Sequence, residues 1–310
     1  MHALAVVMER PESVALARLA LAAPGDDDLV VDIDWSGIST GTEKLLWSGR
    51  MPSFPGMGYP LVPGYEAVGR VVAAGRAAGI AEGAAVFVPG AQCFQDAHCL
   101  FGGSASRVVV PASRAAPVDD SLGAEAVLLS LAATAHHALQ GARLPSLIVG
   151  HGVLGRLLAR MTVALGGAPR VWEIDAARMD GAIGYRVLHP DDDADRGHDA
   201  ICEASGAQGV LDRLMPRLAK GGEITLAGFY EEPVAFTFPP AFMAEARLRI
   251  AAEFTPEDLA ASRQLIAEGR LSLDGLVTHQ ARAERAETAY ETAFSDPACL
   301  KMVLDWRNAQ

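Results

Sequence analysis

The pattern of apolar and polar positions changes character along the chain. Up to about residue 115, short apolar runs are separated by glycine and proline turns, which is typical of β-strands. The pattern therefore predicts a β-rich domain in this part of the chain. Its strands are expected over residues 2–8, 14–19, 29–35, 65–74, 85–88 and 105–110.

After Pro117 the pattern alternates between helix-like and strand-like segments, which predicts a doubly wound parallel sheet. A helix is expected over 122–139, and strands over 146–149, 170–174, 185–188, 199–203 and 222–227. From about Pro256, two helices and a last strand at 300–305 remain, and we expect them to complete the first domain. The predicted class is α/β, with one domain from 1–117 and 256–310 and another from 118–255.

A glycine motif interrupts the second domain where an apolar strand leads into an apolar-periodic helix. It reads G-x-G-x-x-G, and the residues expected to bind a cofactor are Gly150, Gly152, Val153, Leu154 and Gly155. The first glycine allows a tight turn, the second lets backbone approach a pyrophosphate, and the third lets helix pack on strand. The helix N-terminus adds unpaired N–H groups and a positive dipole end. The motif therefore predicts a dinucleotide site.

An acidic residue at the end of the next strand bears on which dinucleotide binds. Asp175 follows Gly155 by twenty residues, where a carboxylate can bind ribose hydroxyls and repel a 2′-phosphate. This favours NAD over NADP. Two neighbours leave the ribose ligand open: Glu173 lies on the same strand face as Asp175, and Arg178 can pair with a phosphate if Asp175 turns away.

Composition narrows the function classes. A net charge of -12 argues against nucleic-acid binding, because neutralising phosphates needs clustered Lys and Arg. The four cysteines form no C-x-x-C pair, so neither a disulfide framework nor a four-cysteine zinc lobe is expected, and a reducing cytoplasm is favoured. Residues 1–21 contain charged residues and therefore lack the continuous apolar core of a signal peptide. The longest apolar stretch, 124–135, is too short to span a membrane. We expect a soluble protein without an integral membrane segment.

Four further strings occur in a set order before the glycine motif. They are PGYEAVG at 63–69, VVAAG at 71–75, GGSA at 102–105 and ATAHHAL at 133–139. In this order they resemble the medium-chain dehydrogenase/reductase superfamily over nearly the whole chain. The resemblance implies a GroES-like catalytic domain made from both chain ends, a Rossmann domain between them, Thr134 on the nicotinamide side, and a homodimer.

The chain departs from the zinc-dependent members of that superfamily at each ligand position. Those members carry a cysteine, a histidine and a third ligand where this chain has Ser39, Tyr65 and Ser130. Zinc prefers thiolate, imidazole and carboxylate ligands, so of the neighbouring side chains only Glu66 suits it. We therefore predict no catalytic metal.

A narrower resemblance lies in SGISTGTEKLLWSGRMP at 36–52 and FPGMGYPLVPGYE at 54–66. This block is similar to the 3-hydroxyethyl bacteriochlorophyllide a dehydrogenases of anoxygenic phototrophs. The resemblance implies NAD-dependent oxidation of a 3-(1-hydroxyethyl) group on a bacteriochlorin to 3-acetyl, late in bacteriochlorophyll a synthesis. The implied substrate is a tetrapyrrole, and so apolar a substrate would keep the enzyme peripheral to the photosynthetic membrane.

The same block has side chains that suit a flat macrocycle with a propionate. Its apolar and aromatic residues offer a broad surface, and its basic residues can meet a carboxylate. The candidate substrate residues are Lys44, Trp47, Arg50, Phe54 and Tyr59. The alternative is a covering loop whose aromatic residues fill the core and whose basic residues are solvated.

Without zinc, the alcohol must lose its proton through a relay of hydrogen-bonding groups. The candidates are Ser39, Thr40, Thr42 and Tyr65, with Glu43, Glu66 or His136 carrying the proton to water. Tyr65 ranks first because it occupies the former metal-ligand position. The alternative for each hydroxyl is turn capping or buried hydrogen bonding.

Two other functions remain open at this stage. A zinc-free quinone or enoyl reductase of the same superfamily would pass hydride to a conjugated double bond, and a preference for NADPH would favour it. A non-catalytic dinucleotide-binding protein would bind nucleotide without turning over any substrate.

Overall fold

The computed structural model describes residues 1–53, 56–141 and 143–309. The strands, in chain order, are β1 His2–Arg10, β2 Ser13–Ala20, β3 Asp28–Ile38, β4 Ala67–Ala74, β5 Ala85–Val88, β6 Arg107–Pro111, β7 Ala116–Pro117, β8 Leu147–Val149, β9 Arg170–Trp172, β10 Arg186–Leu188, β11 His198–Glu203, β12 Leu218–Leu226, β13 Arg247–Ile250, β14 His279–Arg282 and β15 Met302–Asp305. The α-helices are α1 Thr42–Ser48, α2 Leu129–Leu139, α3 Val153–Ala164, α4 Val210–Leu214, α5 Phe238–Ala244, α6 Pro256–Ala267 and α7 Ala286–Ser295.

The chain packs as two compact units. One consists of Met1–Ser130 with Leu276–Gln310, and the other is Leu131–Gly275. Both boundaries lie later in the chain than the sequence boundaries at 118 and 255. The second boundary lies after α6 because Asp258 of α6 is hydrogen-bonded to two histidines of α2, which keeps α6 with the second unit.

The first unit is built on a seven-stranded sheet in the order β14-β15-β3-β4-β5-β7, with β6 pairing beside β3. Strands β1 and β2 form a separate antiparallel pair. β3 pairs with β15, β4 and β6, and its side chains Leu29, Val31 and Ile33 are buried. The run of short apolar strands therefore folds as the β-rich domain that the sequence predicts.

The second unit is a six-stranded sheet in the order β10-β9-β8-β11-β12-β13, and every pairing in it is parallel. The order reverses direction between β8 and β11, as in doubly wound dinucleotide-binding sheets. Strand β8 is buried along its whole length, because central parallel strands are covered on both faces. The predicted α/β class is confirmed.

Some local expectations were wrong. The helix expected over 122–139 is a 3₁₀ segment at Asp120–Leu128 followed by α2, because Gly123 takes φ 49° and ψ −128°. Helix α1 was missed, since its seven residues lie inside a loop-like block. Helix α5 was also missed, because two prolines in its first turn resemble a turn signal although they are tolerated there.

The stretch Asp120–Leu139 is also the one candidate membrane span in the described residues. Its length and a mean hydropathy of 1.2 would allow it to cross a bilayer. However, 56% of it is buried inside the protein, which is typical of a core helix, and Gly123 interrupts it.

Candidate active site

The glycine motif forms the turn that the sequence predicts between β8 and α3. Gly150 has φ 97°, a conformation that favours glycine, and a Cβ on Gly155 would lie 1.8 Å from the carbonyl oxygen of Gly150. A Cβ on Gly152 would meet no atom within 4 Å, so open space lies beside this backbone. Gly152 precedes α3 at the N-cap position and supplies no side-chain cap to the helix. These features fit a dinucleotide pyrophosphate.

Two carboxylates lie at the end of β9, in different surroundings. Glu173 is buried and accepts hydrogen bonds from the N–H groups of His151, Ile174 and Asp175, at 2.9, 2.7 and 2.9 Å. Asp175 accepts the Ala177 N–H at 3.0 Å. Glu173 thus ties the glycine loop to β9, a role that sequence reasoning did not assign to it, and both carboxylates stay candidates for the ribose.

The histidine inside the glycine loop points into the protein. Its Nδ1 lies 2.6 Å from the carbonyl oxygen of Arg178, and its Nε2 lies 2.8 Å from the Tyr185 hydroxyl. Burial lowers the pKa of His151 to about 4, although the Arg178 carbonyl acts in the opposite direction. His151 is therefore neutral at physiological pH and anchors the loop by hydrogen bonds.

In the first unit, the structure brings three of the predicted hydroxyl residues together. The Tyr65 hydroxyl donates to Ser39 Oγ at 2.6 Å, and Thr42 is a second hydrogen-bonding neighbour of that hydroxyl. Burial and the charge of Glu66 raise the pKa of Tyr65 far above its ordinary value. Tyr65 is therefore a neutral phenol. Thr40, the fourth candidate, is exposed.

The positions of Ser39 and Tyr65 follow from strand pairing. β3 and β4 are antiparallel, with Ser36 opposite Ala67. Ser39 follows the end of β3 and Tyr65 precedes the start of β4, so the two residues meet at the same edge of the sheet.

Glu66 is paired with a lysine that sequence reasoning missed. Lys301 Nζ lies 2.9 and 2.6 Å from the two carboxylate oxygens of Glu66 and donates to the Ile38 carbonyl at 3.2 Å. Glu66 is 0% exposed and Lys301 2%. The sequence does contain one sign of this buried lysine, because Lys301 is the single charged residue within the apolar run at 299–304. In the described part of the chain, no group of three or more His, Cys, Asp or Glu side chains could hold a metal ion.

A second buried carboxyl, Glu43, lies in the first turn of α1. The Tyr290 hydroxyl of α7 donates to its Oε2 at 2.7 Å, and Glu43 is 0% exposed. Burial raises the pKa of Glu43 to about 8, although the Tyr290 hydrogen bond lowers it. The negative charge of Glu66 raises it further. Glu43 is therefore mostly protonated at neutral pH.

The candidate substrate residues are largely engaged within the first unit. Lys44 Nζ donates to the Phe294 carbonyl at 2.9 Å, and the Trp47 ring lies 5.5 Å from the Phe294 ring. The Tyr59 hydroxyl donates to the Leu46 carbonyl. Arg50 is exposed, and its Nε donates to Ser48 Oγ at 3.2 Å. Phe54 lies outside the described residues.

Two candidates belong to α2. Thr134 is half-buried, and His136 is held by a carboxylate, with its Nδ1 2.7 Å from Asp258 Oδ1. His137 Nδ1 lies 2.8 Å from the other oxygen of Asp258. Through this pairing with Asp258, His136 forms a structural contact between α2 and α6.

Comparison with known proteins identifies a matching domain family and two relatives with similar sequences. Residues 25–120 match the alcohol dehydrogenase GroES-like domain, which confirms the expected domain type. The chain is 57% identical to a 2-desacetyl-2-hydroxyethyl bacteriochlorophyllide A dehydrogenase of Rhodobacter capsulatus, with 98% of each chain covered. It is 56% identical to the protein of that name from Cereibacter sphaeroides, with 99% of each covered.

A solved structure shares the fold. Acetophenone reductase from Geotrichum candidum in complex with NAD superimposes with a TM-score of 0.83 at 19% identity, covering 98% of this chain and 97% of that one. At this identity the likeness concerns the fold alone.

Proposed function

This chain belongs to the family of the 2-desacetyl-2-hydroxyethyl bacteriochlorophyllide A dehydrogenases, and we propose that it oxidises the hydroxyethyl substituent of a bacteriochlorophyllide to acetyl. The observation that carries the proposal is that more than half of the residues are identical to those relatives over nearly the full length of both chains. The reaction is a step of bacteriochlorophyll synthesis.

The proposed cofactor is NAD. Bound at the glycine loop, its nicotinamide would accept the hydride from the carbinol carbon. The open space beside Gly152 and the uncapped start of α3 support pyrophosphate binding there. Glu173 and Asp175 place negative charge at the end of β9, which favours ribose hydroxyls over a 2′-phosphate. Val153 and Leu154 contribute their backbone, and Thr134 is proposed for the nicotinamide side.

The proposed chemistry uses hydroxyl groups in place of zinc. The Tyr65 oxygen can accept the proton of the substrate alcohol while its own hydroxyl donates to Ser39. Thr42 is adjacent and Thr40 is exposed beside them, so both can orient the substrate or a water. Positioned groups of this kind typically contribute about 100- to 10,000-fold to a rate.

The pairing of Glu66 supports the absence of catalytic zinc. The cysteine and histidine positions of zinc-dependent members hold Ser39 and Tyr65, which are poor zinc ligands. The remaining carboxylate is already neutralised by Lys301 on both oxygens. A dication at Glu66 would lie next to that ammonium in a low-dielectric setting, where like charges repel strongly. We propose that Glu66 has a structural and electrostatic role in the relay.

We propose that α1 and the residues after it bind the macrocycle. Arg50 is exposed on this segment and carries the charge a propionate would need. Lys44 and Trp47 hold α1 to Phe294, and Tyr59 holds the residues after α1 to α1 itself, so substitution of these residues would alter substrate binding through the shape of the segment. Arg50→Gln is expected to raise KM for the pigment more than it lowers kcat.

A homodimer in the cytoplasm is the proposed assembly. Within the described chain β13 ends the parallel sheet, and it exposes Leu248 and Ile250. The neighbouring helix α5 exposes Phe242 and Met243. Apolar surface next to a sheet edge suits pairing with a second copy. Light scattering should give twice the chain mass, and Ile250→Glu should lower it; a monomeric wild-type protein would refute the dimer.

The deciding experiment is an absorbance assay of chelator-treated protein with NAD and the hydroxyethyl bacteriochlorophyllide. A spectral shift to the acetyl pigment without added metal would support both the substrate and the zinc-free relay. Activity restored only by zinc would overturn the relay. If NAD binds and the pigment is unchanged, the substrate is wrong and quinone or enoyl substrates come next. Running NADP in parallel tests the cofactor.

A further inference from the structure

A buried histidine joins the glycine turn to the segment that follows β9. His151 Nδ1 lies 2.6 Å from the carbonyl oxygen of Arg178, and the backbone N–H of His151 donates to Glu173 Oε2 at 2.9 Å. Because a carbonyl oxygen can only accept, Nδ1 carries the proton of this neutral ring. Nε2 therefore accepts from the Tyr185 hydroxyl at 2.8 Å. His151 is 0% exposed, so these hydrogen bonds fix the ring within the protein.

A buried arginine of α3 reaches the same carbonyl oxygen. Arg156 Nε donates to the His151 carbonyl at 3.0 Å, and its Nη2 donates to the Arg178 carbonyl at 3.1 Å. Arg156 is 5% exposed, and a Cβ on Gly181 would lie 2.1 Å from its Nη1, so the chain passes close to the guanidinium. The Arg178 carbonyl thus accepts from two side chains, one in the glycine turn and one in the first turn of α3.

This carbonyl belongs to the segment that carries the charged candidates for the ribose end of the cofactor. Asp175 is the N-cap of a 3₁₀ turn at Ala176–Arg178, and its Oδ1 accepts the Ala177 N–H at 3.0 Å. Its Oδ2 forms an ion pair with Arg178 Nε at 3.8 Å. The Arg178 N–H also donates to the Asp175 carbonyl at 3.0 Å. Displacement of the Arg178 backbone would separate the ion pair and free the guanidinium to bind a phosphate.

We propose that His151 and Arg156 are positioning residues for the ribose end of the cofactor, and that they favour NAD over NADP by holding Arg178 against Asp175. The inference rests on the proposed cofactor site at the glycine turn. Two hydrogen bonds to the Arg178 carbonyl fix the spacing between that turn and the Asp175 carboxylate. A dinucleotide that contacts both places binds more tightly when this spacing is set beforehand. The same hydrogen bonds keep Arg178 away from a 2′-phosphate.

Fluorescence titration with NADH and NADPH measures both affinities without turnover. His151→Ala removes a hydrogen bond to the Arg178 carbonyl, so NADH should bind about tenfold more weakly, which corresponds to about one hydrogen bond. NADPH should weaken by less, because the released Arg178 can meet its 2′-phosphate. The preference for NADH over NADPH should therefore fall. A general structural defect would weaken both nucleotides equally.

Two further variants separate the positioning role from a folding defect. His151→Asn retains a donor, since its amide nitrogen is as many bonds from the backbone as Nδ1, and it should retain the wild-type preference for NADH. Tyr185→Phe leaves Nδ1 in place but removes the donor to Nε2, so its effect should be smaller than that of His151→Ala and in the same direction. It also keeps the test available if His151→Ala does not fold. His189→Asn is the matched control, because His189 accepts the N–H of exposed Asp191 and no change is expected.

A second readout needs no nucleotide. In hydrogen exchange of the protein alone, the amides of Ala177 and Arg178 should exchange faster in His151→Ala, because both donate to Asp175 within the segment that His151 holds. Unchanged exchange, unchanged NADH affinity, or equal weakening of NADH and NADPH in His151→Ala would overturn the inference. A wild-type protein that binds NADH no better than NADPH would instead refute the proposed cofactor, and this inference with it.

Discussion

Replacing Glu43 by glutamine should make the protein more stable at alkaline pH. Glu43 is fully buried, and burial raises its pKa from an ordinary value of 4.5 to about 8. Between these values the folded protein holds one more proton than the unfolded chain. The free energy of unfolding therefore falls as pH rises through this window. Glutamine keeps the shape of the side chain and accepts from Tyr290, but it never ionises.

The magnitude follows from the two pKa values. Each pKa unit corresponds to about 1.4 kcal/mol, so a rise from 4.5 to about 8 corresponds to about 5 kcal/mol. The stability difference between Glu43→Gln and wild type should thus increase by about 1.4 kcal/mol per pH unit across the window. Below the window it should be constant, because Glu43 is then protonated in both states.

Urea denaturation at a series of pH values measures this difference. Glu287 is an exposed carboxylate on α7, and Glu287→Gln is the matched control, for which no such slope is expected. A difference between Glu43→Gln and wild type that does not change with pH would refute the reasoning. It would mean that the buried carboxyl ionises without cost in the folded protein.

Three further outcomes are expected. Gly155→Ala should abolish NADH binding measured by fluorescence, because its Cβ would lie 1.8 Å from a loop carbonyl oxygen, whereas Gly152→Ala adds a methyl group in open space and should keep the fold. Lys301→Met should lower the unfolding free energy in urea by about 3–5 kcal/mol, since it leaves buried Glu66 unpaired; a loss below about 1 kcal/mol would contradict that pairing. Burial raises the pKa of Asp258, but the Thr255 amide and two histidines lower it to about 2. Ionised Asp258 therefore stabilises the folded protein at pH values above the ordinary pKa of an aspartate, and this stabilisation is lost as the pH falls through about 2. The destabilisation caused by Asp258→Asn should shrink over that range in acid denaturation, and an unchanged destabilisation would count against the reasoning.

The site itself was partly predictable from the sequence. Ser39 and Tyr65 were chosen as relay residues by their positions in a family pattern, and the structure joins them by a hydrogen bond. Glu43 was one of three alternatives for the last proton carrier, and no local pattern distinguished it. Its hydrogen-bond partner Tyr290 is 247 residues away in the sequence. The burial that raises the pKa of Glu43 could therefore not be predicted from the residues around it.

The sequence by itself determined the parallel sheet, the β-rich domain and the glycine turn. Each depends on local information: the period of apolar positions decides strand or helix, and only glycine tolerates φ 97° at Gly150 beside a tightly packed Gly155. These features need no knowledge of distant partners.

Only the tertiary structure decided which charges are buried and how they are paired. Lys301 meets Glu66 across 235 residues because β15 pairs with β3, with Met302 opposite Ile38. Likewise α6 joins the second unit through Asp258 and the two histidines of α2. Burial and pairing set the ionisation of a carboxyl, and both arise from contacts between segments far apart in the chain.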